Sequence, residues 1–274
     1  MYKMALIGNP IKQSASPNIH HSFLNNLNLQ GSYELFEITE SDIEETIQFL
    51  VENNFIGFNV TIPFKETVMS HLDKVDESAK RLQAVNTVKI NKAGQLIGYN
   101  TDGIGYVQSL QETYPTFFNA VHQKNVLIIG AGGAAKGIYY TLQDYPFNRI
   151  DVTNRTIEHA VNMVHSIRNS EAIQLNEVSN YLNRYDLIIQ TTSVGMTPHE
   201  ETQIISLKGI KKGTIVSDII YKPKWTAFLK EAKVNGAQLL FGESMLFYQA
   251  REAFHIWTNL KPSIDLSNVT EERG

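Results

Sequence analysis

The segment Val126-Leu127-Ile128-Ile129-Gly130-Ala131-Gly132-Gly133-Ala134-Ala135 constrains the fold of this chain more than any other stretch. The apolar residues 126–129 fit a buried strand, the glycines interrupt it, and the small residues that follow open a helix. A strand that feeds a helix packing back upon it is the seed of a parallel α/β sheet. Gly130, Gly132 and Ala135 fill the frame G-x-G-x-x-G/A. Gly130 permits the tight turn, Gly132 admits a pyrophosphate close to the backbone, and Ala135 lets helix and strand approach. Ala131, Gly133 and Ala134 complete a loop whose helix end offers free N–H groups and partial positive charge to phosphates. A P-loop does not fit, because Ala135 stands where its second glycine belongs and Lys136 precedes Gly137 instead of Ser or Thr. A bare tight turn would satisfy the frame as well; the strand before it and the helix after it point to a dinucleotide.

The same alternation runs through the chain. Strands are expected at 3–8, 33–38 and 55–61, with a helix at 17–27 carrying Pro17 in its first turn. Thr39 or Ser41 is expected to cap a helix running to Asn53. Residues 87–90 and 96–99 flank Asn91-Lys92-Ala93-Gly94, a hairpin signal. A helix follows Asp102 and stops before Tyr114-Pro115. From Lys124 onward, strands at 126–129, 150–153, 187–190, 214–218 and 238–241 alternate with helices at 132–144, 156–168 and 225–234, and a last helix covers 243–259. Strands separated by helices imply parallel βαβ units with covered faces. With 274 residues, the chain has the length of about two domains. The expected division is 1–104, completed by 243–274, and 105–242, joined by a helix in the absence of a Pro/Gly/Ser-rich tether.

Composition narrows the function classes. The net charge of −4 argues against a nucleic-acid partner. The absence of cysteine removes disulfides, thiolate metal sites and cysteine nucleophiles and fits a reducing, cytoplasmic setting. No apolar run reaches membrane-spanning length, so no membrane partner is expected. His20 and His21 are adjacent and point apart on a helix, and no H-E-x-x-H or G-x-S-x-G occurs, so the expected site is metal-free.

The strand after the glycine loop bears on which dinucleotide is bound. An NAD-selective fold places a carboxylate about 20 residues on, at the strand end, to bond the ribose 2′-hydroxyl. Here the strand runs into Asn154-Arg155-Thr156. Arg155 offers a fork of donors to a 2′-phosphate, and Thr156 adds a hydroxyl. Asp151 is the competing candidate, but it stands at the strand start. The balance favours NADP(H) over NAD.

Polar residues cluster where strands of the first half end, and ligands of open α/β sheets collect there. Ser14-Ala15-Ser16-Pro17 follows the first strand, and the two serines are expected to face one side of an extended loop. Asn59-Val60-Thr61-Ile62-Pro63-Phe64-Lys65 leaves the third, Ala84-Val85-Asn86-Thr87 precedes a strand, and Tyr99-Asn100-Thr101-Asp102-Gly103 follows one. Each also has an ordinary reading: Ser16 or Asp102 as a helix cap, Asn86 as a turn residue. Taken together with G-A-G-G-A at 130–134, N-R-T at 154–156, T-S-V-G-M at 192–196, D-x-x-Y at 218–221 and G-x-x-M-L-x-x-Q at 242–249, the combination resembles the shikimate dehydrogenase family across nearly the whole chain.

That resemblance implies two α/β domains: an N-terminal substrate domain and a Rossmann-type NADP-binding domain, with the C-terminal helix returning to the first. It implies NADPH-dependent reduction of 3-dehydroshikimate to shikimate in chorismate and aromatic amino acid biosynthesis. The family's catalytic lysine and aspartate fall on Lys65 and Asp102. Its carboxylate-binding hydroxyls fall on Ser14, Ser16 and Tyr221, its ring-hydroxyl contacts on Thr61, Asn86 and Gln249, and its nicotinamide pocket on Ile219 and Gly242. Gly130–Ala134 would take the phosphates, and Asn154, Arg155 and Thr156 the adenosine phosphate. The chain departs from the commonest pattern at Ile219, where methionine is frequent, at Ser244, where glycine is, and at His159, where a second basic residue is. An NAD-using quinate/shikimate dehydrogenase and a non-catalytic NADP-sensing protein are the competing readings. The expected partner is a small molecule, and the expected state a monomer or homodimer.

Overall fold

The computed structural model describes residues 1–164 and 169–264. The expected end of the helix at 156–168 and the last part of 243–274 lie outside the described residues. The chain divides into two compact units: Met1–Gly105 together with the described residues from Phe247 on, and Tyr106–Leu246.

The first unit is built on a six-stranded sheet of order β2-β1-β3-β5-β6-β4. Its elements are β1 (Tyr2–Gly8), α1 (Ser16–Asn26), β2 (Gly31–Glu37), α2 (Ile43–Glu52), β3 (Gly57–Val60), β4 (Lys74–Val75), α3 (Glu77–Lys80), β5 (Thr87–Ile90), β6 (Leu96–Tyr99) and the start of α4 (Asp102–Thr113). β1 lies parallel to β2 and β3, with Leu6 opposite Leu35 and Asn59. Its Met4–Ile7 core is buried without alternation, as expected of a central strand covered on both faces. The sheet is not parallel throughout: β5 runs antiparallel to β3 and β6. The expected hairpin forms because Asn91 Oδ1 accepts the N–H groups of Ala93 and Gln95 while Gly94 takes φ +78°. Thr39 caps a single 3-10 turn, Glu40–Asp42, in a reciprocal box with Asp42, and α2 begins only after it.

The second unit carries a six-stranded, wholly parallel sheet of order β12-β11-β10-β7-β8-β9. It comprises β7 (Asn125–Ile129), α5 (Gly133–Leu142), β8 (Arg149–Asn154), α6 (Ile157–Val164), β9 (Ala172–Gln174), β10 (Leu187–Gln190), β11 (Ile215–Asp218), α7 (Ala227–Val234) and β12 (Gln238–Leu240). Val126 and Ile128 pack into one apolar cluster and Leu127 and Ile129 into another. Both faces of β7 are therefore covered, the reason its sequence reads as an uninterrupted apolar run. Strand order reverses between β7 and β10, the switch point beside which such sheets bind ligands.

The last helix, α8 (Gly242–Thr258), starts in the second unit and ends in the first. Its far end is fixed to the first sheet by Trp257, whose Nε1 donates to the Val88 carbonyl at 2.9 Å. A Cβ on Gly57 would stand 2.2 Å from that nitrogen, so β3 opens with the one residue that leaves room for the indole.

Candidate functional site

In the first unit, Lys65 and Asp102 form an ion pair, Nζ to Oδ2, of 2.7 Å, with side chains 25% and 10% exposed. Local structure delivers both. Beyond β3 the chain turns at Thr61, whose carbonyl accepts the Phe64 N–H, and the Lys65 carbonyl accepts the Val85 N–H at 2.7 Å. That bond sets Lys65 beside Asn86. Asp102 opens α4, and its N–H donates to Asn100 Oδ1 at 3.1 Å. The helix end is thus served by Asn100 and not, as one reading of the sequence has it, by Asp102, whose carboxylate stays available.

Asn86 links the pair to the sheet. Its amide donates to Asp102 Oδ1 at 2.8 Å and to Thr101 Oγ1 at 3.1 Å, and its Oδ1 accepts the Thr101 N–H at 2.9 Å. Behind it, Thr87 Oγ1 donates to Asn86 Oδ1 and accepts from Asn59 Nδ2, both at 3.0 Å, and Asn59 Oδ1 accepts the Tyr33 hydroxyl at 2.8 Å. Burial pushes the Tyr33 phenol up, opposed by a hydrogen bond with Ser16. A hydrogen-bonded path therefore runs from Ser16 to Lys65 through groups that are almost all buried. Such a path holds the ion pair in one geometry, since each buried member left unmatched costs free energy.

Ser14 and Ser16 do not lie on an extended loop. Ala15 is helical, Ser16 is the first residue of α1, and the Ser16 N–H donates to Ser14 Oγ at 3.2 Å. Pro17 explains the compaction, because its fixed φ suits a first helical turn. Thr61 stands against β1, where a Cβ on Gly8 would come within 2.3 Å of Thr61 Cγ2. Gln249 reaches the same network: its Oε1 lies 3.5 Å from Thr101 Oγ1.

Residues to which the sequence reading gave no role support this arrangement. Asn59, Thr87, Thr101 and Tyr33 form the path described above. Gly105 admits Gln249: a Cβ there would stand 2.5 Å from the Gln249 backbone nitrogen and 2.7 Å from its Cα. Its signal in the sequence was a second glycine two residues after Gly103. We expect Gly105→Ala to lose about 1–3 kcal/mol by overpacking and to raise KM for a substrate read by Gln249. Denaturant unfolding and steady-state kinetics check the two effects.

His20 behaves as a core residue. It stacks on Tyr33 with ring centroids 4.3 Å apart, Phe254 and Trp257 flank it, and burial lowers its imidazole to about 3. Among the described residues no group of three His, Asp or Glu side chains is arranged to hold a metal ion.

The second unit contains the remaining expected residues: Gly130 to Ala134, Asn154, Arg155, Thr156, Ile219, Tyr221 and Gly242. Gly130 takes φ +118°, and a Cβ on it would stand 2.4 Å from Thr191 Oγ1, so the turn requires glycine. Gly132 and Gly133 differ. A Cβ on either would meet nothing within 4 Å, and neither takes a positive φ. Protein packing gives no reason for glycine there; close approach of a ligand to the backbone would. α5 begins at Gly133 with Gly132 as its cap and no side chain capping it, so its first-turn N–H groups lack helical partners. Arg155 follows β8, is exposed, and makes no ion pair among the described residues. Asn154 Nδ2 closes the turn onto the Thr156 carbonyl at 2.8 Å. These features fit a phosphorylated dinucleotide. Tyr221 is partly exposed, with its phenol pushed up by burial of the remainder.

Comparisons with known proteins agree. Residues 6–88 match the model of the shikimate dehydrogenase substrate-binding domain, and residues 113–220 that of shikimate/quinate 5-dehydrogenase. The chain is 46% identical over 262 residues to shikimate dehydrogenase (NADP(+)) of Oceanobacillus iheyensis, covering 95% of this chain and 94% of the relative. Shikimate 5-dehydrogenase of Thermus thermophilus, solved with NADP(H) and shikimate, superposes with a TM-score of 0.86 at 30% identity over 96% of this chain and 95% of that one. Shikimate dehydrogenase of Aquifex aeolicus gives a TM-score of 0.85 at 35% identity over 96% and 94%. A likeness that extends through both units at this level of identity settles the family, and the chain is a member of the shikimate dehydrogenases.

Proposed function

We propose that the protein catalyses the reversible NADPH-dependent reduction of 3-dehydroshikimate to shikimate, in the route to chorismate and the aromatic amino acids. The observation that carries this reading is the Lys65–Asp102 ion pair braced by Asn86. When bound, NADPH supplies a hydride to the carbonyl carbon. Negative charge then develops on the ketone oxygen, and the Lys65 ammonium stabilises it and donates the proton that completes the alcohol. In the oxidative direction a neutral Lys65 takes that proton back. Asp102 orients the ammonium and accepts from a substrate hydroxyl, while Asn86 fixes the carboxylate.

Ser14, Ser16 and Tyr221 are assigned to the substrate carboxylate, and Thr61, Asn86 and Gln249 to the ring hydroxyls. Small polar groups suit a polyol, because an analogue lacking one hydroxyl leaves a buried partner unsatisfied. The Gly130–Ala134 loop with the α5 N-terminus receives the pyrophosphate, Asn154, Arg155 and Thr156 the 2′-phosphate, and Ile219 and Gly242 line the nicotinamide pocket. Residues 1–104 with 243–274 act as the substrate and catalytic domain, and 105–242 as the NADP domain. All proposed site residues come from one chain, so a monomer or a homodimer suffices. Among the described residues no helix is long and apolar enough to cross a membrane, and we place the reaction in the cytoplasm.

Steady-state assays with shikimate and quinate, each with NADP+ and NAD+, test the reading through the absorbance of the reduced nicotinamide. Shikimate with NADP+ is expected to give the highest kcat/KM. Preference for quinate with NAD+ would transfer the protein to the neighbouring activity, and no turnover with any pair would leave it a non-catalytic dinucleotide binder.

A further inference from the structure

Two loops of the second unit are tied together by buried side chains that the reaction chemistry does not use. Gln190 ends β10 and Asp218 ends β11, opposite each other in the parallel register. Both are fully buried. Gln190 Nε2 donates to the carbonyls of Thr192 and Val194 at 3.2 Å and to Asp218 Oδ1 at 3.4 Å, while its Oε1 accepts the Thr192 N–H. One amide therefore winds residues 192–194 around itself. Asp218 accepts the Ile220 N–H at 3.0 Å and the Thr226 hydroxyl at 2.7 Å, holding both ends of residues 219–226 with one carboxylate. The Ile219 N–H closes the connection onto the Gln190 carbonyl at 3.1 Å.

The same loops abut two glycines of the dinucleotide region. A Cβ on Gly130 would strike Thr191, and one on Gly242 would stand 2.5 Å from the carbonyl oxygens of both Ile219 and Ile220. Any shift of either loop would therefore press on the glycine turn or on the start of α8. Burial raises the Asp218 carboxyl to about 6 against these hydrogen bonds. A neutral amide could close a loop at lower desolvation cost; a carboxylate provides stronger, charge-assisted bonds that fix its geometry.

We infer that Asp218 and Gln190 are positioning residues that fix loops 191–195 and 219–226 for the nicotinamide half of NADP+. The inference rests on the reading of the second unit as the dinucleotide domain. Asp218 acts through Ile220 and Thr226, whose bonds bracket the loop that carries Ile219, and Gln190 through Thr192 and Val194; none of these bonds reaches Asn154, Arg155 or Thr156, assigned to the adenosine half.

The test titrates wild type, Asp218→Asn and Gln190→Met with NADP+ and with adenosine 2′,5′-bisphosphate by calorimetry, with thermal unfolding alongside. The expected result is a Kd for NADP+ raised about tenfold or more in each variant, with the Kd for adenosine 2′,5′-bisphosphate within about twofold of wild type. One variant that folds is enough to decide. Unchanged NADP+ affinity overturns the inference. Parallel loss of both ligands, or failure of both variants to fold, assigns the pair to the scaffold alone and overturns it too. Wild type that binds neither ligand refutes the dinucleotide reading of the unit, and the inference with it.

Discussion

Lys65→Ala is expected to lower kcat for shikimate oxidation by about 10²–10⁴-fold while KM for shikimate moves only a few-fold. The size follows from the loss of a positioned proton donor and of the charge that faces the developing alkoxide. Folding should survive, because Asp102 keeps the Asn86 amide at 2.8 Å and its helix-end position when the lysine is gone. Lys65→Arg separates the two contributions. Arginine retains the positive charge next to Asp102 but cannot give up its proton in the working pH range. If proton transfer is the larger part, Lys65→Arg stays nearly as slow as Lys65→Ala; if charge alone matters, it recovers most of the rate. Steady-state kinetics in both directions measure this. A Lys65→Ala enzyme with wild-type kcat and a raised KM would make Lys65 a binding residue and remove the proposed proton donor.

What could be read from the sequence depended on how locally each residue acts. The glycine loop was legible because Gly130 takes φ +118° in a local turn and Ala135 shares an apolar cluster with Val126 and Ile128 of the preceding strand. The β5–β6 hairpin was legible because Asn91 and Gly94 satisfy it within four residues. β4, with two residues, and α3, with four, are too short to show a period, so the antiparallel pairing of β5 with β3 could not be foreseen. Asp102 and Asn86 each had an ordinary reading, and only the combination of motifs singled them out together with Lys65. Their support was hidden for a different reason. The Tyr33–Asn59 bond joins residues 26 apart, and the Thr101–Gln249 contact residues 148 apart. Nothing in either neighbourhood distinguishes such a residue from one that faces water. Gly105 is the extreme case, since the backbone it must clear belongs to a helix at the other end of the chain.

Arg155→Ala should raise the Kd for NADP+ by about 10–100-fold, the range for charge-assisted bonds to a phosphate, and leave the Kd for NAD+ within about twofold. The prediction depends on excluding a carboxylate from the ribose, and the structure does this on the same strand. Asp151 is fully buried inside β8, three residues before Asn154. Its Oδ2 accepts from the Tyr185 hydroxyl at 2.8 Å and from Arg184 Nη2 at 2.9 Å, and its Oδ1 accepts the Glu171 N–H at 2.9 Å. With those bonds made, Asp151 serves the scaffold and cannot reach a ligand at the carboxyl end of the sheet. At that end the strand presents Asn154, Arg155 and Thr156, donors suited to the proposed 2′-phosphate contact, with no carboxylate among them to reward a free 2′-hydroxyl. With His159 in place of a second basic residue, Arg155 is the main cationic contact in the proposed site, so a single substitution should collapse most of the preference. Fluorescence titration of both dinucleotides into wild type and variant measures it. Wild-type affinity for NADP+ in Arg155→Ala would mean that the discrimination is made elsewhere, and that the exposed arginine is an ordinary solvated side chain.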